Sequence, residues 1–285
     1  MDESLNQTAA VMKQRITRIE ASKGLARLDL RELWDYKDLL WFHTLKEVKG
    51  KYRQMALGPL WIILQPIINM IIFTLIFGEI AKLPSEGIPY PIFTYVALLP
   101  WALFQNSCEF SSHSLVAQMH IIAKVYFPRM IIPIASTLSW LVDFVLSFGV
   151  LLIMMFFFGF IPGWRIIFIP LYLIMAVAFA LAIGFCTASL AVQFRDIKFV
   201  VDHGLRVFMY LTPVAYSGTL VPEQWQWLYQ LNPMYWVVEG FRWSLLGTSA
   251  GPDWYMVFPL GLTAFLLIVG AYMFRRTERT VVDLL

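Results

Sequence analysis

The sequence predicts an all-α integral membrane protein with six transmembrane helices, and three observations carry that class. Hydrophobic residues make up 59% of the 285 residues and charged residues 14%, whereas ordinary soluble domains are roughly 25% charged. The apolar residues are gathered in blocks long enough to cross a hydrocarbon core about 30 Å thick as helices. The basic residues fall almost entirely between those blocks, on the segments that would share one membrane face.

Taken in order, the first block runs from about Leu60 to Phe77, and a Pro/Gly loop (Lys82–Pro91) follows it. The second runs from about Ile92 to Phe110. The third, Ile131 to Phe158, is ended by the turn Gly159-Phe-Ile-Pro-Gly163, and the fourth covers Ile166 to Val192. The last, Tyr255 to Phe274, lies between Pro252-Asp253 and Arg275-Arg276. The segment from Val200 to Leu220 is ambiguous, because it carries Asp202, His203, Arg206 and Pro213. Charge resolves it. With six crossings, only Lys82, Arg165 and Arg242 of the 22 Lys and Arg fall on the far side. Basic residues are retained on the cytoplasmic face, so the chain is expected to cross six times with both termini cytoplasmic. The expected organisation is a cytoplasmic tail (1–28), an interface helix and entry (29–54), the six-span domain (55–274) and a second tail (275–285). The polar N-terminal stretch lacks a basic-then-apolar segment with a small-residue cleavage site, so no signal peptide is expected.

Three segments are neither span nor plain loop. Asp29 to Val48 reads as an amphipathic helix on the cytoplasmic face, with Leu30, Trp34, Trp41, Leu45 and Val48 on one side and charges on the other. Lys46, Lys49 and Arg53 continue a basic stripe toward the first span. Such a helix serves either as an anchor on anionic lipid or as a surface for a cytoplasmic partner. Between spans two and three, Ser111 to Pro128 is expected to hold a short helix with Leu115, Met119 and Ile122 on one face. Val221 to Gly251 is too polar to cross and too aromatic for a free loop. Pro222 opens one helix, and Asn232-Pro233 caps and opens a second that Gly247 can end. Its Trp and Tyr residues form either an interfacial aromatic belt or a re-entrant pair packed against protein. Glu239 and Arg242, at i and i+3, can pair within it.

No P-loop occurs, so this chain does not bind ATP in that manner. There is no H-E-x-x-H, C-x-x-C or G-x-S-x-G motif. Cys108 and Cys186 match no metal or redox spacing and read as buried small side chains. His43, His113, His120 and His203 are scattered at cytoplasmic-side positions and read as solvated or interfacial. Asp143 is the one acidic residue deep in an apolar run, which marks it for a functional or structural role. A hydrogen bond to a neighbouring Ser, Thr or Trp is the expected structural one. Glu109 carries less weight, and Gln65, Asn69, Gln105 and Asn106 can bond between helices or line a polar path. Asp202, His203 and Arg206 do not assemble a convincing catalytic cluster.

The motifs together resemble a known family. Tyr52-Arg53-Gln-Met-Ala-Leu-Gly58-Pro-Leu-Trp61 is similar to the entry to the first span in permease subunits of type-2 ABC exporters for polysaccharides. The same holds for Leu98-Leu-Pro-Trp101, Lys124-Val-Tyr-Phe-Pro-Arg129, Arg195-Asp196, Thr212-Pro213-Val and Val221-Pro-Glu. Leu231-Asn-Pro233, followed by Glu239-Gly-Phe-Arg242, completes the ordered series. The nearest likeness is to permeases of O-antigen and lipopolysaccharide-type export, then to capsule and teichoic-acid exporters.

The resemblance implies a homodimer in the bacterial inner membrane, with two copies of a separate ATPase that holds ATP and Mg, and no cofactor on this chain. It also implies a lipid-linked polysaccharide as cargo, membrane lipids as partners and no nucleic acid. By resemblance, the coupling elements lie at about Leu30–Val48 and Leu115–Tyr126. The residues expected to face the ATPase are Leu115, Met119, Ile122, Lys124, Tyr126, Trp34, Trp41, Lys46, Lys49 and Arg53. Outer gate helices at about Pro222–Leu246 bring Trp225, Tyr235, Trp236, Glu239 and Arg242. Trp61, Phe73, Trp101, Tyr210 and Tyr216 are candidates to line the path, stacking on sugar faces. Competing functions are export of a smaller lipid or drug, a membrane glycosyl-lipid transferase and a stand-alone channel.

Overall fold

A computed structural model describes residues 30–53, 57–58, 60–122, 124, 127–248 and 251–280 of the chain, apart from the side chains of residues 30, 121, 279 and 280. Most of the described residues are helical, with no strand among them. Helices α1 (Leu30–Asp35) and α2 (Lys37–Tyr52) are separated at Tyr36, so the expected single amphipathic helix is two. Helix α3 (Leu60–Phe73) continues into a π-helical stretch, Thr74–Ile80. Next come α4 (Tyr90–Ala117), the one-turn α5 (Met119–Ile122) and α6 (Ile131–Phe157). A 3-10 turn, Trp164–Phe168, leads into α7 (Ile169–Ala191), followed by α8 (Ile197–Tyr210). Helices α9 (Glu223–Leu231) and α10 (Pro233–Leu246) precede the last, α11 (Val257–Thr280).

Among the described residues, four helical stretches are long and apolar enough to cross a membrane: Leu60–Ile80, Ile131–Phe157, Trp164–Ala191 and Trp254–Glu278. These match the first, third, fourth and last expected spans. The expected second and fifth differ for separate reasons. Helix α4 is long enough, but it is the central helix of the bundle and carries Gln105, Asn106, Glu109 and a run of serines. Ser112 Oγ donates to Cys108 O at 2.6 Å and Ser114 Oγ to Ser111 O at 2.7 Å, both on their own helix, while Ser107 Oγ has no partner among the described residues. A helix surrounded by protein can carry such bonded polar groups. Helix α8 has 14 residues, about 21 Å of rise, and irregular backbone follows from Leu211 to Ser217.

Packing radiates from α4, which touches α7, α6, α10, α3 and α8. The larger apolar core joins Tyr95, Trp101 and Phe104 of α4 to Phe144 of α6, Phe179 of α7 and Phe241 of α10. A second core gathers Leu115, Ile122, Phe127, Met130 and Phe185 around Phe274 of α11, with Leu33, Tyr36, Leu39 and Leu40 packed on it. Helix α3 is the least enclosed of the long helices, with Leu60, Trp61, Ile68, Ile71, Ile72 and Leu75 exposed.

Helices α7 and α11 meet closely because Gly270 has no side chain. A Cβ there would stand 2.7 Å from the Ala182 carbonyl oxygen, a backbone atom that cannot turn away. Gly270→Ala is expected to cost about 1–3 kcal/mol, read as a fall in melting temperature of the purified protein. Gly261→Ala on the same helix meets nothing within 4 Å and should leave the melting temperature unchanged or raised.

Candidate functional site

At one end of the bundle, the N-terminal helices, the α4–α5 corner and the end of the last helix converge. Glu32 Oε2 accepts from Arg275 Nη2 at 2.8 Å. Glu278 Oε1 accepts from the Arg129 backbone N–H at 2.9 Å, and Arg129 Nη1 donates to the Glu278 carbonyl. Gln118, at the break between α4 and α5, donates to Glu47 Oε1 at 2.7 Å.

The expected coupling residues separate into two groups here. Leu115 and Ile122 are buried in the second core, and Met119 is half-buried. Leu115 and Ile122 therefore pack the protein's own interior with Phe127, Met130 and Ile131 and are not presented outward. The exposed side of this corner is Val116, Ala117, His120 and Lys124. Tyr126 lies outside the described residues. On α1 and α2, Trp34 and Trp41 are 70% and 65% exposed, as are Lys46, Lys49 and Arg53 to varying degrees. The opposite face of α2 binds the bundle through Leu39, Leu40, His43 and Glu47. His43 is thus buried against Phe127, not solvated. Burial, with Lys46 nearby, holds its pKa below the usual value. His113 is half-buried, while His120 and His203 are exposed as expected.

Asp143 is buried, but the expected Ser, Thr or Trp partner is replaced by a charge: Lys51 Nζ lies 3.3 Å from Asp143 Oδ2. Glu109 and His113 of α4 lie in the field of Lys198 and Asp202 of α8, and Glu109 also in that of Arg206. His203 turns away and bonds Phe199 O at 3.0 Å.

At the opposite end, the expected helix pair forms with its expected caps. Asn232 accepts from the Met234 N–H at 2.9 Å, and Gly247 ends α10 at φ 72°, a conformation glycine adopts at low cost. Glu239 and Arg242 pair at 2.9 Å with both side chains buried. Arg242 also donates to the carbonyls of Tyr216 and Val214, each at 3.0 Å, and its guanidinium lies 3.8 Å from the Phe93 ring centroid. Glu239 accepts in turn from the Gly218 N–H at 3.2 Å. Tyr90 donates to Ala215 O, and Ser217 to Glu86. The irregular segment after α8 is therefore clamped between α10 and the start of α4. Trp236 is buried, Tyr235 half-buried and Trp225 exposed. Trp225 borders a cavity of about 590 Å³ lined mainly by apolar groups, with Tyr216 and Tyr229 the hydroxyl-bearing ones.

Of the five path candidates, Trp61 and Tyr210 are exposed, and Phe73 and Tyr216 half-buried. Trp101 is 2% exposed, packed on Phe104 and Phe208, with Nε1 donating to Gln105 at 2.8 Å. It is a core residue of this subunit. Sequence reasoning missed Lys51, Glu86 and Tyr90, whose partners lie 92, 131 and 125 residues away.

No group of three or more His, Cys, Asp or Glu that could hold a metal ion occurs among the described residues. The profile of the ABC-2 type transporter family matches residues 38–246. The chain is 30% identical over 208 residues to the O-antigen export system permease protein RfbA of Myxococcus xanthus, covering 72% of this chain and 79% of that protein. A Klebsiella pneumoniae protein of the same name is 28% identical over 250 residues, covering 87% of this chain and 95% of its own length. The inner membrane transport permease YadH of Escherichia coli strain K12 is 31% identical over 250 residues, 80% of this chain and 94% of that one. With four helices suited to crossing a bilayer and a family match over most of its length, this multi-pass membrane protein belongs to the ABC-2 type transporter family.

Proposed function

We propose that this chain is the membrane subunit of an ATP-driven exporter that moves a lipid-linked, O-antigen-like polysaccharide from the inner to the outer leaflet of the bacterial inner membrane. The observation that carries this reading is the likeness to O-antigen export permeases across 87% of the chain. The chain acts as a homodimer on two copies of a separate ATPase that binds ATP and Mg. The exposed apolar residues of α3 and α8, including Phe199, Val207 and Tyr210, support a second copy as the missing neighbour of those helices.

Six crossings with both termini cytoplasmic fit the geometry. The N-terminal helices, the α4–α5 corner and the last helix are joined at one end through Glu32–Arg275, Glu47–Gln118 and Arg129–Glu278. The α9–α10 pair lies at the other, as a re-entrant outer gate. Exposed Trp34, Trp41, Lys46 and Lys49 suit an anionic lipid surface. Since Leu115 and Ile122 are internal, the ATPase docks on the exposed corner of Val116, His120 and Lys124. Trp61, Phe73, Tyr210 and Tyr216 are the remaining aromatic candidates for the path.

The test is deletion of this chain in cells that make such a glycan, with its location read by labelling lipid-linked sugar. The expected result is accumulation on the cytoplasmic side, reversed by the wild-type chain. Unchanged surface glycan would overturn the reading. Surface glycan that stays normal while efflux of a small lipid or drug fails would transfer the assignment to that substrate class.

A further inference from the structure

One face of α2 is fixed to the bundle at three successive turns. His43 packs on Phe127, with ring centroids 5.7 Å apart, in the segment leading into α6. Glu47, one turn on, accepts from Gln118 at the α4–α5 corner at 2.7 Å. Lys51, a further turn on, reaches Asp143 inside α6 at 3.3 Å, with both side chains about nine-tenths buried. The same ammonium lies 3.4 Å from the Trp140 ring centroid, and Tyr52 faces the same carboxylate. The spacing 43, 47, 51 is that of a single helical stripe. The next described helix, α3, begins at Leu60.

A buried ion pair is a poor device for stability alone, since apolar side chains of similar volume do as well or better. What it supplies is register: an ammonium in a buried site has few places to go, whereas apolar surfaces slide past one another. Asp143 Oδ1 and Trp140 Nε1 have no hydrogen-bond partner among the described residues, so Lys51, with Tyr52 beside it, supplies the polar fixation of this carboxylate.

We propose that Lys51 and Asp143 form a positioning joint that makes α2 and the third span move as one body, so that displacement at the α4–α5 corner reaches the first and third spans together. This rests on the exporter reading for its functional consequence, but not for its geometry. Neither residue touches cargo or nucleotide in this role.

Charge supplies a further readout. Burial pushes the Lys51 pKa down to about 8 from 10.5, against the opposing pull of Asp143 and Glu47. The groups facing the ammonium are Asp143 and Trp140 of α6, with Glu47 and Tyr52 on its own helix. Between pH 8 and 10.5 the unfolded chain binds more protons than the folded one at this site, so its contribution to stability rises with pH. The joint weakens over the same interval, because the amine loses its charge. A fall in coupling above pH 8 therefore cannot be ascribed to unfolding at this group.

The experiment uses the full chain reconstituted in proteoliposomes with its ATPase, scoring lipid-linked glycan moved per ATP hydrolysed. The apolar pair Lys51→Met/Asp143→Leu should keep the wild-type melting temperature yet lose roughly fivefold or more in that ratio. The swap Lys51→Asp/Asp143→Lys should recover part of it. Wild-type coupling should decline as pH rises through about 8, while Lys51→Arg stays level. An apolar pair that couples as well as wild type would overturn the joint.

A second measurement needs neither cargo nor ATPase. Spin labels at the exposed positions Leu45 and Val145, with Cys108 and Cys186 replaced by Ala, report the α2–α6 distance. The distribution should be narrow in wild type and broad in the apolar pair. Equal widths would also overturn the joint. Broadening in a protein that moves no glycan would keep the joint and remove the cargo assignment.

Discussion

Replacing Arg242 by methionine is expected to destabilise the protein by about 3–5 kcal/mol, the cost of leaving one member of a buried ion pair without the other. Arg242 is fully buried and supplies donors to Glu239, Tyr216 O and Val214 O. Methionine fills part of the volume and supplies none of them. The Glu239 carboxylate then keeps only the Gly218 N–H. Removing the charge on both sides, in Glu239→Gln/Arg242→Met, should recover part of the loss, because glutamine can still accept from Gly218 without being ionised. Denaturant unfolding of the detergent-solubilised protein measures both variants. Hydrogen exchange across residues 211–221 should rise in the single variant more than in the third span. A single variant that unfolds with wild type would show that the clamp on the segment after α8 is held by Tyr90 and Glu86 instead.

This clamp also shows which parts of the molecule were legible in the sequence. Helix α10 carries its start and stop signals locally: Asn232 bonds two residues on, Gly247 lies in the left-handed region, and Glu239–Arg242 is an i,i+3 pair. Local chemistry of that kind is readable without knowing the fold. The other half of the clamp, Glu86–Ser217 and Tyr90–Ala215, joins residues more than a hundred positions apart, and no spacing rule reaches that far. Lys51 is the same case. In the sequence it is one of several basic residues before the first span, and only the packing of α2 along α6 turns it inward to Asp143.

The α4–α5 corner was misread for a different reason. Leu115 ends up on α4 and Met119 and Ile122 on α5, across the break at Gln118, and periodicity in any case does not say what covers a face. Here Phe127 and Met130 pack with Leu115 and Ile122. The N-terminal helices show the converse, since Trp34 and Trp41 lie on the side that the bundle leaves open. Helix α4 was legible in place but not in character. Its serines and amides are tolerated because protein, not lipid, surrounds it.

The aromatic residues divide along the same line, and a pair of substitutions tests the division. Trp101→Ala is expected to cost about 3–5 kcal/mol, since it empties a buried indole site between Phe104 and Phe208 and orphans the Gln105 acceptor. Trp61→Ala removes a side chain that is 41% exposed on the least enclosed long helix, and should change stability by less than about 0.5 kcal/mol. If the path runs along α3, glycan movement per ATP should drop in Trp61→Ala while its melting temperature holds. In Trp101→Ala the melting temperature should fall first, and transport should be lost in proportion to the folded protein that remains. A Trp101→Ala variant that folds and melts as wild type, yet moves no glycan, would put that indole back on the path and the present packing around α4 in question. The contrast is informative because both residues are tryptophans in motifs that resemble those of polysaccharide permeases. Composition and likeness treat them alike, and only their surroundings assign one to holding the subunit together and leave the other facing outward, free to meet cargo.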